Sequence, residues 1–150
     1  MRITTWAEYG VICALHLARR ADEGLVCGRE IAEREKLPPD YAEQILLRLR
    51  RAGIVTSTRG ARGGYALARS ADTITLREIL QASELVTFDL HCDSHPLDAE
   101  RCAADRDCSI RPVWQMLQRR IDEVLESVRL ADLLEDEPLV RQRVGLTVLG

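Results

Sequence analysis

A stripe of apolar residues near the C-terminus constrains the fold of this chain most strongly. The spacing alternates between four and three residues, the pattern of the a and d positions of a heptad repeat, through Ile110, Trp114, Leu117, Ile121, Val124, Val128 and Ala131. A helix with one apolar seam is stable only when that seam is covered, and a second copy of the chain is the simplest partner. The pattern predicts a dimerisation helix over residues 110–134. A helix packed on its own domain is the alternative.

The N-terminal part of the chain has the pattern of a helix-turn-helix. Thr5 and Glu8 fit a capping box that opens a first helix. A short second helix is expected over about residues 29–35. Pro38-Pro39 then marks a turn and the start of a third helix, which ends at Gly53. Two short helices joined by such a turn form a helix-turn-helix.

A basic hairpin is predicted next. Residues 54–58 and 65–67 are rich in strand formers, and the glycine-rich turn between them carries two arginines. A helix-turn-helix followed by such a hairpin is a winged helix. Thr75 and Glu78 form a second capping box, which opens a further helix. The predicted fold class is therefore mainly α with a small β-hairpin wing: a winged helix-turn-helix plus a long dimerisation helix.

The predicted organisation has five parts along the chain. They are the winged helix-turn-helix DNA-binding domain (1–72), a linking helix (73–87), a cysteine loop (88–109), the dimerisation helix (110–134) and a C-terminal tail (135–150). Neither a membrane-spanning stretch nor the pattern of a signal peptide is present, so we expect a cytoplasmic protein. The sequence lacks a phosphate-cradling glycine motif and a Ser/His/Asp arrangement. We therefore expect neither an enzyme nor a small-molecule substrate.

The charge is distributed unevenly. Residues 1–70 hold twelve basic and eight acidic residues, whereas residues 71–150 hold nine and sixteen. No acidic residue falls between Glu43 and Asp72, where six arginines lie. A basic block within an acidic protein predicts a surface that binds phosphates, and double-stranded DNA is the expected partner.

The third helix and the wing are the predicted DNA-binding elements. Gln44 is expected to pair with adenine, Arg48 to bind guanine or a phosphate, and the wing arginines to enter the minor groove or bind its phosphates. An ordinary solvated charge is the alternative for each residue taken alone. The full predicted set is Asp40, Tyr41, Glu43, Gln44, Arg48 and Arg51 on the helix, and Arg59, Gly60, Arg62 and Gly63 in the wing.

The five cysteines are odd in number, so they cannot all form internal disulfides. Cys13, in the apolar stripe of the first helix, and Cys27 are expected to pack within the fold, and a ligand role is the alternative for Cys27. Cys92, Cys102 and Cys108 lie in a polar segment with C-x9-C-x5-C spacing, where packing does not explain them. Thiolates on such a loop can hold an iron–sulfur cluster or a zinc ion, and a metal-free redox pair is the alternative.

Short motifs run in one order through residues 1–134. They are Met1–Thr5, Arg29–Arg34, Tyr41, Glu43–Leu46, Ala52–Val55, Arg59-Gly60, Gly63–Leu67, Ile74–Leu76, Arg111–Trp114 and Leu130–Leu133, together with the three loop cysteines. This combination resembles the IscR/NsrR-type family of iron–sulfur winged-helix transcription regulators. The resemblance implies a homodimer that binds a palindromic operator and holds one cluster per subunit near the dimer helix.

The resemblance also implies the cluster ligands. Cys92, Cys102 and Cys108 inherit this role, although the first gap is longer here than in the best-known members. The IscR branch takes a histidine beyond its last cysteine as fourth ligand, and this chain has Arg111 at that position.

The fourth ligand therefore needs another source. The nitric-oxide-sensing branch uses an acidic residue near the N-terminus of the partner subunit, and Glu8 of the partner subunit matches it. His91 or His95 is the second choice, and the capping box is the alternative role of Glu8. In the family an acidic residue at the position of Glu43 influences operator choice unless it is held aside.

These features together predict a DNA-binding regulator, expected to be a repressor. Its operator binding would be controlled by an iron–sulfur cluster, of 2Fe–2S or 4Fe–4S type, that senses iron or cluster status, redox stress or nitric oxide. A thiol- or zinc-based redox-sensing regulator without a cluster is the alternative. An iron–sulfur carrier or redox enzyme is less favoured.

Overall fold

The computed structural model describes residues 4–84, 98–103 and 105–145. Within these ranges the chain forms six α-helices: α1 (Thr5–Arg19), α2 (Gly28–Glu35), α3 (Pro39–Arg51), α4 (Leu76–Ser83), α5 (Arg111–Ser127) and α6 (Glu137–Arg143). Strands β1 (Val55–Thr58) and β2 (Gly64–Leu67) form one antiparallel hairpin, with Val55 opposite Leu67 and Thr58 opposite Gly64. The predicted fold class, mainly α with a small hairpin, is confirmed.

The core lies between α1, α3 and α4, with α2 against one side. Ile45, Leu46 and Leu49 of α3 are fully buried, as their helical spacing predicts, and Ile31 of α2 joins them. Gly53 ends α3 with a φ of 72°, a left-handed conformation that favours glycine. The helix-turn-helix is thus built on the residues that predicted it.

The start of α1 differs from the prediction. Thr4, not Thr5, is the N-cap: its backbone is extended, and its side chain accepts a hydrogen bond from the Ala7 amide at 3.4 Å. The third helical position is then Ala7, which has no carboxylate to complete a capping box. The capping box predicted at Thr5 and Glu8 is therefore wrong, because the cap lies one residue earlier. The second box, between Thr75 and Glu78, is confirmed.

Helix α4 packs closely on α1. A Cβ atom added at Gly10 of α1 would lie 1.8 Å from the Ser83 hydroxyl oxygen, so only glycine allows this approach. Ser83 is fully buried and its hydroxyl donates to the Ile79 carbonyl at 2.7 Å. This contact fixes the C-terminal end of α4, after which the chain continues toward the cysteines.

Helix α5 is shorter than predicted. The heptad stripe predicts a helix to residue 134, but α5 ends at Ser127. Val128 accepts from the Leu76 amide and Leu130 donates to the Ile74 carbonyl, both at 2.8 Å, in a short antiparallel bridge. Leu130 is fully buried in the core. Burial of the Leu130 side chain and the paired backbone are more favourable than the two further helical turns that the stripe predicts.

The C-terminal tail, predicted from the sequence only as an apolar-leaning segment, contains α6. Arg143 of α6 pairs with Asp132 at 3.1 Å and with Glu135 at 3.0 Å, which ties the helix to the turn after α5. No helix among the described residues is long and apolar enough to cross a membrane.

Candidate nucleic-acid interface and cysteine site

Helix α3 buries one face and exposes the other. Ala42 and the three core residues point inward, whereas Asp40, Glu43, Gln44 and Arg51 are exposed, as the spacing predicted. Pro38 and Pro39 set the start of the helix. The structure therefore presents a polar helical face of the kind that enters a major groove.

Arg48 does not belong to that exposed face. Its Nη1 donates to the Ser83 carbonyl oxygen at 2.6 Å, and its guanidinium carbon lies 4.2 Å from the centre of the Trp6 ring. The prediction that Arg48 points outward is wrong, because a charge-assisted hydrogen bond at the end of α4 and a cation–π contact hold it inward. Arg48 joins α3 to the end of α4.

Tyr41 lies within an aromatic cluster at the start of α3. Its ring centre is 4.9 Å from that of Trp6 and 6.3 Å from that of Tyr9, the second contact being edge-to-face. These contacts pack α3 on α1 and still leave Tyr41 exposed. Its assignment to the DNA surface stays a prediction that rests on the exposed part of the ring.

The wing presents arginines at the tip of a tight turn. Arg59 and Arg62 are exposed, and the Gly63 amide donates to the Gly60 carbonyl at 2.9 Å. Gly60 has a φ of 118°, and a Cβ at Gly63 would lie 2.2 Å from the Thr58 carbonyl oxygen. The turn therefore requires these glycines, and it projects the arginines away from the domain.

Glu43 is held between the wing and α2. The Tyr65 hydroxyl donates to Glu43 Oε2 at 3.0 Å, and a Cβ at Gly28 would lie 2.5 Å from Glu43 Oε1. Burial raises the pKa of the Tyr65 hydroxyl, and so do its hydrogen bond to the Glu43 carboxylate and the negative charge of that carboxylate. The sequence alone did not reveal this contact, because the two residues lie on different elements.

Tyr65→Phe tests this contact. The variant removes the hydrogen bond and releases the Glu43 carboxylate onto the exposed face of α3, where it repels phosphates. We expect operator affinity to fall about fivefold, the scale of one hydrogen bond. Fluorescence anisotropy on operator DNA measures it.

The same substitution in a Glu43→Gln protein shows whether the loss of affinity depends on the Glu43 carboxylate. In Glu43→Gln protein, the Tyr65→Phe change should alter affinity by less than about twofold, since there is no carboxylate to release. An equal fivefold loss in both backgrounds contradicts the role given to Glu43.

Cys102 and Cys108 lie close to the start of α5. Both are half-buried free thiols. The backbone N–H groups of Arg111 and then Ile110 donate to the Cys108 sulfur and lower the pKa of its thiol, and the charges of Arg111 and Arg101 act in the same direction. Electropositive surroundings of this kind favour the thiolate, the form that binds metals.

The remaining predicted ligands are distributed as follows. Cys92, His91 and His95 lie outside the described residues. Glu8 is exposed in the first turn of α1, at the edge of an apolar groove lined by Ala7, Val11, Ile12, Leu76, Leu80 and Leu125. Across the ranges that the structure describes, no three His, Cys, Asp or Glu side chains are grouped as a metal site.

The other two cysteines differ from each other. Cys13 is fully buried, and burial, with the Glu35 charge adding, raises the pKa of its thiol to about 12. Its predicted place in the core is confirmed. Cys27 is exposed, so the prediction that it packs is wrong: it is the N-cap of α2, and only its carbonyl is used, by the Ile31 amide at 3.2 Å.

Helix α5 contacts its own domain partly through polar groups. Arg77 of α4 pairs with Asp122 at 3.7 Å and with Glu126. On the other side, Ile110, Trp114, Leu117 and Val124 of the seam remain 37% to 56% exposed. The domain therefore leaves most of the predicted seam uncovered.

The helix-turn-helix, its exposed polar face and the arginine-tipped hairpin define a winged-helix DNA-binding protein. The model of the Rrf2 family, described as iron-dependent transcriptional regulators, matches residues 3–136. The chain belongs to this family, and the resemblance inferred from its motifs is confirmed. It is a DNA-binding transcription regulator and not an enzyme.

Individual relatives agree with this assignment. The HTH-type transcriptional regulator IscR of Erwinia tasmaniensis is 31% identical over 140 residues, which cover 93% of this chain and 82% of that protein. The structure of T. potens IscR matches with a TM-score of 0.70 and 36% identity, over 89% of this chain and 86% of that one. The structure of CymR, the global cysteine regulator of B. subtilis, matches with a TM-score of 0.72 and 32% identity. The match covers 89% of this chain and 96% of that one.

Proposed function

We propose that the protein is a homodimeric repressor whose operator binding depends on an iron–sulfur cluster held by Cys92, Cys102 and Cys108. The observation that carries the proposal is the place of Cys102 and Cys108 at the start of α5, the helix with the uncovered apolar seam. A site there lies beside the surface on which two subunits would meet. The likeness to two IscR proteins supports the same function.

The described residues fit such a group chemically. Thiolates are the usual ligands of iron in these clusters, and the amides and Arg111 charge near Cys108 favour the thiolate. When bound, a cluster supplies a centre that oxidants, nitric oxide or iron shortage can disassemble. The chain's own part is to hold the thiolates in place and to connect them to the DNA-binding face.

The proposed dimer covers the seam of α5. Ile110, Trp114, Leu117 and Val124 form one apolar stripe, and the polar side of α5 is already used by Arg77 of α4. A second copy presents the same stripe, so two α5 helices can cover each other. The dimer also places two α3 helices for the two halves of a palindromic operator.

One contact joins α4, which precedes the cysteines in the sequence, to the DNA-binding helix α3. Helix α4 ends at Ser83, and the chain leads from there to the cysteines. The Ser83 carbonyl accepts the hydrogen bond from Arg48 of α3. We infer that a rearrangement of the cysteine segment changes the position of α3 through this contact.

Glu8 of the partner subunit is our first candidate for the fourth ligand, with His91 or His95 second. The Thr4 cap leaves the Glu8 carboxylate unused by the helix start, which removes the competing role. It is exposed beside α4 and α5, where a second subunit would pack.

Glu8→Ala should make the cluster more labile without changing the fold. Loss of a ligand should shorten the lifetime of the visible absorbance in air by about tenfold. Asp22→Ala, which removes another exposed carboxylate after α1, is the matched control. An unchanged lifetime in Glu8→Ala leaves Glu8 without a ligand role.

In the proposed complex, Gln44, Asp40 and Arg51 of α3 lie in the major groove, and the wing contacts the sugar–phosphate backbone of the DNA. Arg59, Gly60, Arg62 and Gly63 form the wing contact, and Glu43 is held aside by Tyr65. We do not assign Arg48 to base contacts, because its guanidinium donates to the Ser83 carbonyl.

Arg62→Ala should weaken binding to operator and random DNA alike. Its exposed guanidinium is placed to contact phosphate, so the slope of log affinity against log salt should decrease by about one per wing. Arg141→Ala in α6 removes another partly exposed arginine far along the chain and should leave the slope unchanged. A loss confined to operator DNA would assign Arg62 to base reading instead.

A thiol-based regulator without a cluster is the second candidate. The lowered pKa of the Cys108 thiol and the likeness to a global cysteine regulator favour it. Anaerobic purification with iron and acid-labile sulfide analysis separates the two. Stoichiometric iron and sulfide with visible absorbance support the cluster, and a colourless protein without iron contradicts it.

A further inference from the structure

We propose that Arg111 is a positioning residue that fastens the Cys102 segment (residues 98–103) onto the start of α5 and so holds Cys102 and Cys108 at one site. The inference rests on the proposed function, because it concerns how the cluster ligands are oriented. It assigns a role to the residue that stands where the IscR branch has a histidine ligand.

The contacts of Arg111 carry the argument. Its Nη2 atom donates to the Cys102 carbonyl at 3.2 Å and to the Ala103 carbonyl at 2.9 Å, and the side chain is only partly exposed. Arg111 opens α5 and lies three residues after Cys108 in the sequence. One residue therefore joins the main chain at Cys102 to the helix start that follows Cys108.

The Cys102 segment has few other anchors in the described chain. The Cys102 amide donates to the Asp98 carbonyl at 2.9 Å, and the Arg101 amide to Asp98 Oδ1 at 2.7 Å. Both bonds lie within the segment and set its turns. The bonds from Arg111 join it to a helix, and hydrogen bonds from a charged donor are the stronger kind.

The positive charge of Arg111 also suits a site formed by cysteine thiolates. Cysteine thiolates bring negative charge to the site, and a guanidinium fixed by two carbonyls compensates it. A guanidinium is not itself a metal ligand, since it stays protonated in proteins. Arg111 therefore orients and stabilises ligands that other residues provide.

Labelling of the metal-free protein tests the positioning role directly. Arg111→Gln should expose Cys102 and raise its maleimide labelling rate about tenfold, the scale of two lost charge-assisted hydrogen bonds. Arg106→Gln is the matched control: it removes a nearby charge, and the Arg106 side chain pairs, among the residues that the structure describes, with Glu100 at 3.6 Å. Fragment-ion mass spectrometry distinguishes Cys102 from Cys108.

The protein that carries the cluster gives a second measurement. The visible circular dichroism of the cluster should change in Arg111→Gln and be partly restored in Arg111→Lys, which keeps the charge and one donor group. Equal Cys102 labelling in Arg111→Gln and Arg106→Gln overturns the proposal. If wild-type protein binds no iron, the proposed function fails, while the labelling rates still decide whether Arg111 positions Cys102.

Discussion

Trp114→Glu is expected to convert the protein into a monomer and to lower operator affinity by roughly a hundredfold. Trp114 lies in the exposed seam of α5, and two such seams would face each other in the dimer. A carboxylate in that interface loses hydration without gaining a partner, which costs several kcal/mol. A monomer reads only one half of the operator. Analytical ultracentrifugation and DNA titration measure the two effects.

Gln115→Glu is the control for this substitution. It adds the same charge one residue later, on the polar side of α5 beside Arg77, and should leave the dimer intact. Helical circular dichroism should be unchanged in both variants, because Trp114 is already exposed in the single chain. A Trp114→Glu protein that remains a dimer contradicts the proposed use of the seam.

Cys102→Ala is expected to abolish the cluster and leave the dimer in place. Removing one of three thiolates leaves too few ligands for a stable site, whereas the seam of α5 does not contain Cys102. Iron and sulfide should fall to about background, a loss of more than tenfold, as expected for a missing metal ligand. Native mass spectrometry should still show two subunits.

Cys27→Ala is the matched control for loss of a thiol. Cys27 is exposed and distant in sequence from the cysteine segment, so its replacement should leave iron and sulfide unchanged. Retention of iron by Cys102→Ala contradicts the ligand assignment. A monomeric Cys102→Ala protein contradicts the separation of cluster site from dimer surface.

Local patterns predicted the DNA-binding half of the fold well. The apolar spacing of α3, the proline start, the Gly53 end and the glycine turn of the wing each depend on neighbouring residues. Two of the errors have non-local causes. Arg48 turns inward because Ser83 and Trp6 lie beside it, and α5 stops at Ser127 because Leu130 packs into a core that its heptad spacing does not reveal.

The sequence predicted the chemistry of the candidate site but not the hydrogen bonds that hold its residues in place. Clustered thiols in a polar segment indicate a metal or redox role, and the motifs indicate the family. The sequence also showed that Arg111 replaces a histidine, but its bonds to the Cys102 and Ala103 carbonyls required the structure. The same holds for Tyr65 and Glu43, which are 22 positions apart.

One measurement tests the central claim most directly: anaerobic titration of one operator fragment with the same dimer before and after chelation of its iron. We predict that the dissociation constant changes by about tenfold or more, as expected for a coupling of at least ~1.4 kcal/mol between two sites. Cys102→Ala should behave like the chelated protein throughout. Equal affinities for the loaded dimer and the chelated dimer would contradict control of DNA binding by a cluster.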